Sequence, residues 1–335
     1  MLPNAAFERV PARTGTRPDA ASRVVAIGGG TGLPNVLRGL RPLLYPGGLA
    51  DASRDRLVAI VATSDDGGSS GRLRRDFDMP APGDLRSCLA ALAEDESLVG
   101  QLFQHRFTTG ELAGHSFGNL FLAGLTDMFG SFDRAVSESA RVLAVAGRVV
   151  PSTVDMAELV ARFADGREVR GETALAADGA QCQRVRLDPP DPSAHPRALQ
   201  AIGRAEAIVM GPGSLFTSTL PPLLVPGIAE AVRAATVPRI YVCNLLQQPG
   251  ETDGYRASDH VSRIFDHVGA GLVDTVVVSR NRAEFGTPVP VDRGGLRRLG
   301  MQVVGGRLAG EWQHDPDRLA RLLVRLARRR RPVPA

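Results

Sequence analysis

Four short apolar runs in this chain are each followed at once by a loop of glycine, hydroxyl and amide side chains. The runs are residues 23–27, 57–62, 207–210 and 239–242, and each has the length of a buried strand. Segments with helical periodicity lie between them, and strands that alternate with helices predict a parallel sheet. The sequence therefore predicts an α/β fold with a Rossmann-like, doubly wound, mostly parallel sheet. Its polar loops are expected at the carboxyl edge, where open α/β sheets bind ligands.

The pattern changes between residues 149 and 190, where short alternating runs flank a hairpin turn at residues 164–167. We interpret this stretch as a small β insertion within a single α/β domain of residues 23–327. Residues 1–22 are predicted to be a flexible N-terminal tail, and residues 328–335 a basic C-terminal tail. No stretch reaches the roughly 18 apolar residues of a membrane span, and no secretion signal is evident. We therefore expect a cytoplasmic protein with no membrane span.

All 40 basic residues are arginine. The absence of lysine excludes a Schiff-base lysine, a lysine nucleophile and the lysine of a phosphate-binding loop. Any phosphate must therefore be held by backbone amides, hydroxyls, arginine or a metal ion. The formal net charge is only +4 and aromatic residues make up 5% of the chain, so no nucleic-acid partner is expected. Cys88, Cys182 and Cys243 have no paired spacing, which argues against both disulfides and a zinc site.

The first polar loop contains four glycines and a threonine: Gly28, Gly29, Gly30, Thr31 and Gly32. It lies between a predicted strand and a predicted helix, an arrangement that points free backbone N–H groups at an anion. The dinucleotide-binding fingerprint requires glycine at position 33, where this chain has Leu33. The loop therefore predicts a phosphate site that is not of the standard Rossmann kind.

The second polar loop places two carboxylates, three glycines and three hydroxyls in nine residues, 64–72. Asp65 and Asp66 could ligate a divalent ion, hydrogen-bond a ribose or base, or simply cap the turn. Gly71 allows the backbone to approach a ligand closely. Ser69, Ser70 and Arg72 are expected to donate hydrogen bonds to an anion. We predict that this loop forms one wall of a nucleotide-type ligand site.

Asp84 stands where a helix N-cap is expected, and capping alone could explain it. It also brings a further acid toward the second loop, so Asp84 is a candidate metal ligand with Asp65 and Asp66, and the one candidate catalytic residue. Arg86, two residues later, is predicted to contact the ligand.

Further candidate ligand-binding residues lie in three later loops. Taken alone, His115 is more often a structural histidine than a ligand contact, whereas its neighbours lie at a predicted helix start, where anions bind. The glycine loop after residue 210 repeats the pattern of the first loop, and Asn244 follows the next strand. The candidates in these loops are His115, Ser116, Asn119, Gly211, Gly213, Ser214 and Asn244.

Taken together and in order, eight motifs resemble the bacterial gluconeogenesis factor family, which is related to the 2-phospho-L-lactate transferases. The resemblance covers roughly residues 23–320. Its motifs are residues 28–32, 65–74, 82–86, 102–107, 114–116, 118–120, 211–215 and 250–254.

This resemblance implies a Rossmann-like protein that binds a UDP-sugar, such as UDP-N-acetylglucosamine, and couples carbon metabolism to cell-wall synthesis and cell shape. No cofactor is implied as a requirement, although the related transferases use a divalent metal such as Mg²⁺, a guanosine-type donor and a deazaflavin acceptor. The chain departs from the family at residues 281–288, which are shorter and carry Phe285 rather than a tyrosine. It departs again at Gln313, where an arginine is expected.

Three functions follow as hypotheses. The first is a non-catalytic, UDP-sugar-binding regulator with a protein partner in cell-wall regulation, expected to be a homo-oligomer. Here the amides of residues 29–32 and of Gly213 and Ser214 would hold the diphosphate, and Asn244 would face the nucleotide. The second is a transferase of the 2-phospho-L-lactate type, in which Asp65, Asp66 or Asp84 holds a metal ion at a nucleotide diphosphate. The third is a protein-interaction scaffold.

Overall fold

A computed structural model describes residues 23–48, 53–93, 98–178 and 181–328. The tail predicted at residues 1–22 lies outside the described residues, as does all but Arg328 of the tail predicted at residues 328–335.

A seven-stranded sheet forms the centre of the molecule, and every neighbouring pair of its strands is parallel. The strand order is β10-β9-β8-β7-β1-β2-β3, so the direction of winding reverses between β7 and β1. The predicted doubly wound α/β fold is therefore confirmed. The strands are β1 (Val24–Gly28), β2 (Leu57–Val61), β3 (Arg148–Pro151), β7 (Ala207–Met210), β8 (Arg239–Val242), β9 (Thr275–Ser279) and β10 (Gln302–Gly306).

Helices cover both faces of this sheet, and the alternation of side chains along each strand supplies one core to each face. In β1, for example, Val24 and Ala26 belong to one apolar cluster and Val25 and Ile27 to the other. The helices are α1 (Gly32–Leu44), α2 (Gly68–Phe77), α3 (Gly83–Leu92), α4 (Leu98–Gln104), α5 (Phe117–Phe129), α6 (Phe132–Val142), α7 (Glu172–Asp178), α8 (Pro196–Gly203), α9 (Leu220–Leu224), α10 (Ile228–Ala234), α11 (Ala257–Val268), α12 (Arg293–Arg298) and α13 (Pro316–Ala327). A 3-10 turn (Arg54–Arg56) precedes β2, and a π-helical turn (Leu215–Thr219) precedes α9.

A second, antiparallel sheet has the order β5-β4-β6 and contains the predicted hairpin. Its strands are β4 (Glu158–Phe163), β5 (Glu168–Arg170) and β6 (Cys182–Asp188). This small sheet lies within the predicted insertion, but the first residues assigned to that insertion do not belong to it. Val149 and Val150 lie in β3, at the edge of the main sheet, because β3 pairs in parallel with β2. The run of residues 149–150 is too short for its periodicity to distinguish these two positions.

The second polar loop is shorter than the sequence predicts. Helix α2 begins at Gly68, so Ser69, Ser70, Gly71 and Arg72 are helical rather than part of a loop. Glycine and serine have low helix propensity, so the sequence predicts a loop at residues 69–72 where the structure has a helix. Burial overrides that preference here, because Ser69, Ser70 and Gly71 are all buried.

In the part of the chain that the structure describes, no single helix is both long and apolar enough to cross a membrane. One pair, Leu215–Leu224 and Ile228–Ala234, reaches that length only in combination and is bent by 81°.

Candidate functional site

Two glycine loops press against each other where the winding of the sheet reverses. The first follows β1 and the second follows β7, which is its neighbour in the sheet. A Cβ atom at Gly30 would lie 2.7 Å from Ser218 Oγ, and one at Gly32 would overlap the carbonyl oxygen of Pro212. Gly30 also has a φ of +59°, a conformation that side chains disfavour. Glycine is therefore needed at these positions so that the two loops can meet.

A cavity of about 190 Å³ opens beside this contact. Five of the predicted ligand-binding residues line it together: Thr31, Gly32, Gly213, Ser214 and Asn244. Thr31 is the N-cap of α1, and its side chain does not cap the helix. The first turn of α1 therefore offers backbone N–H groups at the cavity, as the sequence predicts.

The second glycine loop is fixed by hydrogen bonds that the sequence does not reveal. The Gly213 amide donates to Asn244 Oδ1 at 3.1 Å, and Asn244 Nδ2 donates back to the Gly213 carbonyl at 2.8 Å. The Ser214 hydroxyl donates to Glu251 and accepts from the Thr217 amide at 3.0 Å. The expected role of Gly213 and Asn244 as free ligand contacts is therefore altered, because each already serves to hold the other.

Trp312 and His314 also line the cavity, and Trp312 is stacked on Phe285 outside it. The rings of Phe285 and Trp312 are stacked, with centroids 4.2 Å apart and planes at 10°, yet both side chains are exposed. Trp312 lines the cavity together with His314, whose backbone carbonyl accepts a hydrogen bond from Asn35. Nε2 of His314 is buried with no hydrogen-bond partner among the described residues. Burial lowers the pKa of His314 to about 4, so its ring is neutral at physiological pH.

Asp84 faces the first glycine loop and does not cap its own helix. Pro82 occupies the N-cap of α3 and Asp84 lies in the first turn, so the predicted capping role is wrong. Asp84 Oδ2 instead accepts a hydrogen bond from the Gly30 amide at 2.7 Å. Burial raises the pKa of Asp84 to about 6, with a further contribution from the Asp65 charge. The sequence predicts Asp84 near the second polar loop, whereas this hydrogen bond joins it to the first, so one amide of the first glycine loop is already satisfied.

Asp65 and Asp66 take separate partners. Asp65 accepts from the Gly67 amide at 2.9 Å, which is a turn contact, whereas Asp66 accepts from both the amide and the hydroxyl of Thr173 in the insertion, at 2.9 and 3.1 Å. Across the described residues, no three His, Cys, Asp or Glu side chains are grouped so that they could hold a metal ion. The metal site of Asp65, Asp66 and Asp84 therefore stays a prediction.

Four other candidates form a hydrogen-bonded cluster between α2 and the start of α5. The Ser69 hydroxyl lies 3.0 Å from His115 Nδ1 and accepts from Asn119 Nδ2 at 3.1 Å, while the Ser116 hydroxyl caps α5 by accepting from the Asn119 amide. Burial lowers the pKa of His115, and the nearby Arg72 charge lowers it further. None of these side chains lines the cavity, so their arrangement favours the structural role for His115.

The two candidate arginines also make protein contacts. Arg72 donates to the Ala113 carbonyl at 2.9 Å and so holds the loop that carries His115. Arg86 donates to the Ser87 hydroxyl at 2.9 Å, and its buried Nε has no partner among the described residues. Burial and the nearby Arg106 charge both lower the pKa of Arg86. Ser70 packs against Gly83, where a Cβ atom would overlap the Ser70 hydroxyl oxygen.

The family model of 2-phospho-L-lactate transferase CofD matches residues 24–309, which is most of the chain. The chain belongs to the CofD family. It is 46% identical over 292 residues to the gluconeogenesis factor of Halalkalibacterium halodurans, which covers 84% of this chain and 88% of that protein. It is 41% identical over 319 residues to the gluconeogenesis factor of Bacillus subtilis, which covers 91% of this chain and 98% of that one.

Solved structures of similar proteins have the same fold. A crystal structure of a UPF0052-family protein from Bacillus halodurans superposes with a TM-score of 0.84 at 42% sequence identity, and the match covers 90% of this chain and 98% of that chain. The resemblance to the gluconeogenesis factors that the eight motifs predict is therefore confirmed.

Glu172 is an acid at the site of this CofD-family protein that the sequence analysis missed. It lies at the start of α7 in the insertion and hydrogen-bonds Thr217 in the second glycine loop. Burial raises the pKa of Glu172 to about 9, and the charges of Asp65 and Asp84 add to this shift. Burial likewise raises the pKa of Glu251. No local pattern around Glu172 indicates this role, because it depends on where the insertion packs.

We expect Glu172→Gln to stabilise the protein above neutral pH. Because the folded pKa of about 9 lies above the ordinary value of 4.5, folding retains a proton, and stability falls as pH rises from about 4.5 through about 9. The slope for this one group is at most about 1.4 kcal/mol per pH unit. Glutamine keeps the shape without the charge, so the variant should lose this part of the pH dependence in urea unfolding at pH 6, 7, 8 and 9. The control is Glu168→Gln on β5, which removes one partner of an exposed ion pair with Arg186 on β6 and should leave the slope unchanged.

Proposed function

We propose that this protein is a regulatory protein that binds a UDP-sugar, with UDP-N-acetylglucosamine as the first candidate, and acts in cell-wall synthesis and cell shape during gluconeogenic growth. One observation carries the proposal: the cavity at the reversal of the sheet is lined by an uncapped helix start and two glycine loops. Such a site holds phosphate without lysine, which this chain lacks. The gluconeogenesis factor names of similar proteins support it.

The diphosphate would bind at the start of α1, where Thr31 and Gly32 present a hydroxyl and backbone amides. Gly213 and Asn244 would support this site from behind, since their hydrogen bonds to each other fix the second loop. The uracil ring would lie against Trp312, because an exposed aromatic face at the rim of a cavity suits a planar base. His314, neutral and with a free ring nitrogen, would accept or donate one hydrogen bond in the same cavity.

The acids around the site decide how it would tolerate a diphosphate. Asp84 and Glu172 have raised pKa values, about 6 and about 9, so part of their charge is absent near neutral pH. A protonated carboxyl does not repel phosphate and can donate a hydrogen bond to it. UDP-sugar binding therefore does not require a metal ion in this proposal. At higher pH, where Asp84 is charged, a bound Mg²⁺ would offset the repulsion between its carboxylate and the diphosphate.

Fluorescence of Trp312 tests the proposal directly, because it is the only tryptophan in the chain. Titration with UDP-N-acetylglucosamine should change its emission, since the base would displace or cover its exposed face. Calorimetry should give the same dissociation constant. Trp312→Phe should abolish the fluorescence signal while retaining calorimetric binding, because phenylalanine preserves an aromatic face. The proposed function is ruled out if no UDP-sugar at millimolar concentration gives either binding heat or a fluorescence change.

A transferase of the 2-phospho-L-lactate type is the second candidate, and the CofD family model together with Asp84 favours it. Asp84 is buried at the phosphate-type loop with a pKa of about 6, which suits a group that binds a metal ion or exchanges a proton near neutral pH. Metal-dependent turnover of a nucleotide diphosphate donor, abolished in Asp84→Asn, would establish this function. Intact UDP-sugar binding in Asp84→Asn with no turnover in the unmodified protein would favour the regulator.

A further inference from the structure

A second cavity, of about 230 Å³, lies at the amino ends of the strands of the main sheet, on the side away from the glycine loops. It sits beside the amino ends of β1, β2 and β3, whereas the two glycine loops follow the carboxyl ends of β1 and β7. With strands of five residues, the two cavities are separated by about 15 Å of sheet. The lining residues are Arg23, Val25, Asp55, Val58, Arg148, Val150, Arg197, Gln200, Ala201 and Arg204. We call this cavity the arginine pocket.

The floor of the arginine pocket is apolar. Val25, Val58 and Val150 come from three adjacent strands and belong to the same buried cluster. Val25 and Val58 are direct partners in the register of β1 and β2. A ligand that reaches this floor would therefore contact aliphatic side chains and would lose water on doing so.

The rim of the pocket is cationic. Gln200, Ala201 and Arg204 follow Arg197 by three, four and seven residues, so they share one face of α8, with Arg204 at the C-cap just beyond its last residue. Arg23 and Arg148 face that helix from the strand ends. The rim therefore brings four guanidinium groups around one carboxylate, that of Asp55.

The guanidinium groups of two of these arginines have no anionic partner among the described residues, although the Glu206 carboxylate accepts a hydrogen bond from the backbone amide of Arg23 at 3.2 Å. Arg148 is paired with Asp55, and Arg197 contacts the Ser137 hydroxyl at 3.3 Å and Asp133 at 4.0 Å. The guanidinium groups of Arg23 and Arg204 form no ion pair or hydrogen bond with any residue that the structure describes. An anion bound beside this apolar floor would be attracted by both guanidinium groups.

We infer that the arginine pocket is a second ligand site, which binds a small organic phosphate whose apolar body lies on the three valines and whose phosphate lies between Arg23 and Arg204. The planar guanidinium group can form two parallel hydrogen bonds with the oxygens of one phosphate, and this geometry suits arginine for phosphate binding. The volume suits a body of one ring or a short chain. This site goes beyond the proposed UDP-sugar function and does not depend on it.

Calorimetry of the full chain with phenyl phosphate tests this inference, because that probe combines a flat apolar body with a phosphate. Arg23→Ala and Arg204→Ala should each weaken binding by about tenfold, as expected for the loss of a charge-assisted hydrogen bond. Inorganic phosphate, which lacks the apolar body, should bind more weakly than phenyl phosphate. Both arginines are exposed and unpaired, so neither variant should lower the melting temperature.

Two controls separate this pocket from other sites. Arg162→Ala removes another exposed arginine, on β4, and should leave phenyl phosphate binding unchanged. Saturating UDP-N-acetylglucosamine should not displace the probe if the two cavities are distinct. The inference is overturned if phenyl phosphate does not bind at millimolar concentration, if both pocket variants bind it as the unmodified protein does, or if the UDP-sugar competes for it.

Discussion

Asp274→Ala is expected to lower the free energy of unfolding by about 3–5 kcal/mol, because it leaves a buried guanidinium without its counter-ion. Arg239 begins β8 and is only 2% exposed. Its Nη2 lies 2.6 Å from Asp274 Oδ1, and its Nε lies 2.9 Å from Oδ2, so the carboxylate is bound through both oxygens. Asp274 immediately precedes β9, and the pair therefore joins two neighbouring strands of the sheet. Urea unfolding followed by circular dichroism would measure the loss.

The matched control removes an exposed partner from a similar pair. Arg263 and Asp266 lie 3.2 Å apart on α11, with side chains 36% and 56% exposed. Asp266→Ala should therefore change the free energy of unfolding by less than about 0.5 kcal/mol. A loss of similar size in the two variants would show that burial of Arg239 contributes nothing to the effect.

Gly32→Val is expected to remove UDP-sugar binding and to lower the free energy of unfolding by about 1–3 kcal/mol. A side chain at this position would overlap the backbone of Pro212, which cannot move away as a flexible side chain could. The two glycine loops would have to separate, and the first turn of α1 would shift with them. Calorimetric titration with UDP-N-acetylglucosamine and thermal unfolding would measure the two effects.

Gly124→Ala is the control for this substitution. Gly124 also lies in a helix, α5, but a Cβ atom there would meet no atom within 4 Å. Alanine should therefore stabilise this helix by about 0.5–1 kcal/mol and leave ligand binding intact. If Gly32→Val retained both its melting temperature and its affinity, the close contact of the two loops would not be what shapes the cavity.

The parts of the fold that could be predicted from the sequence are those fixed by local pattern. Strands β1, β2, β7 and β8 are apolar runs that end in glycine or polar loops, and such runs favour a parallel sheet in any surroundings. The same loops predicted ligand-binding residues that line one cavity in the structure: Thr31, Gly32, Gly213, Ser214 and Asn244. Their exact partners, such as the mutual hydrogen bonds of Gly213 and Asn244, were not predicted because they depend on loop packing.

The features that were missed all depend on contacts between distant segments. Glu172 reaches Thr217 only because the insertion packs over the second glycine loop. Asp84 contacts Gly30 across 54 residues of sequence, so the local pattern favoured an N-cap instead. Trp312 and Phe285 meet although neither belongs to a strand or helix. Side-chain chemistry at such positions cannot be read from periodicity, because periodicity reports only which face of an element is buried.

The order of strands also has a consequence for the synthesis of this protein. Strand β1 lies between β2 and β7, and Val24 pairs with Ala207, which leaves the ribosome much later. At usual rates of translation, that delay is roughly 10–40 s. Throughout this time the nascent chain carries an apolar strand with one open edge, which is a template for aggregation. Fragments that end before residue 207 should therefore be insoluble, and chaperone binding during translation should cease soon after β7 emerges.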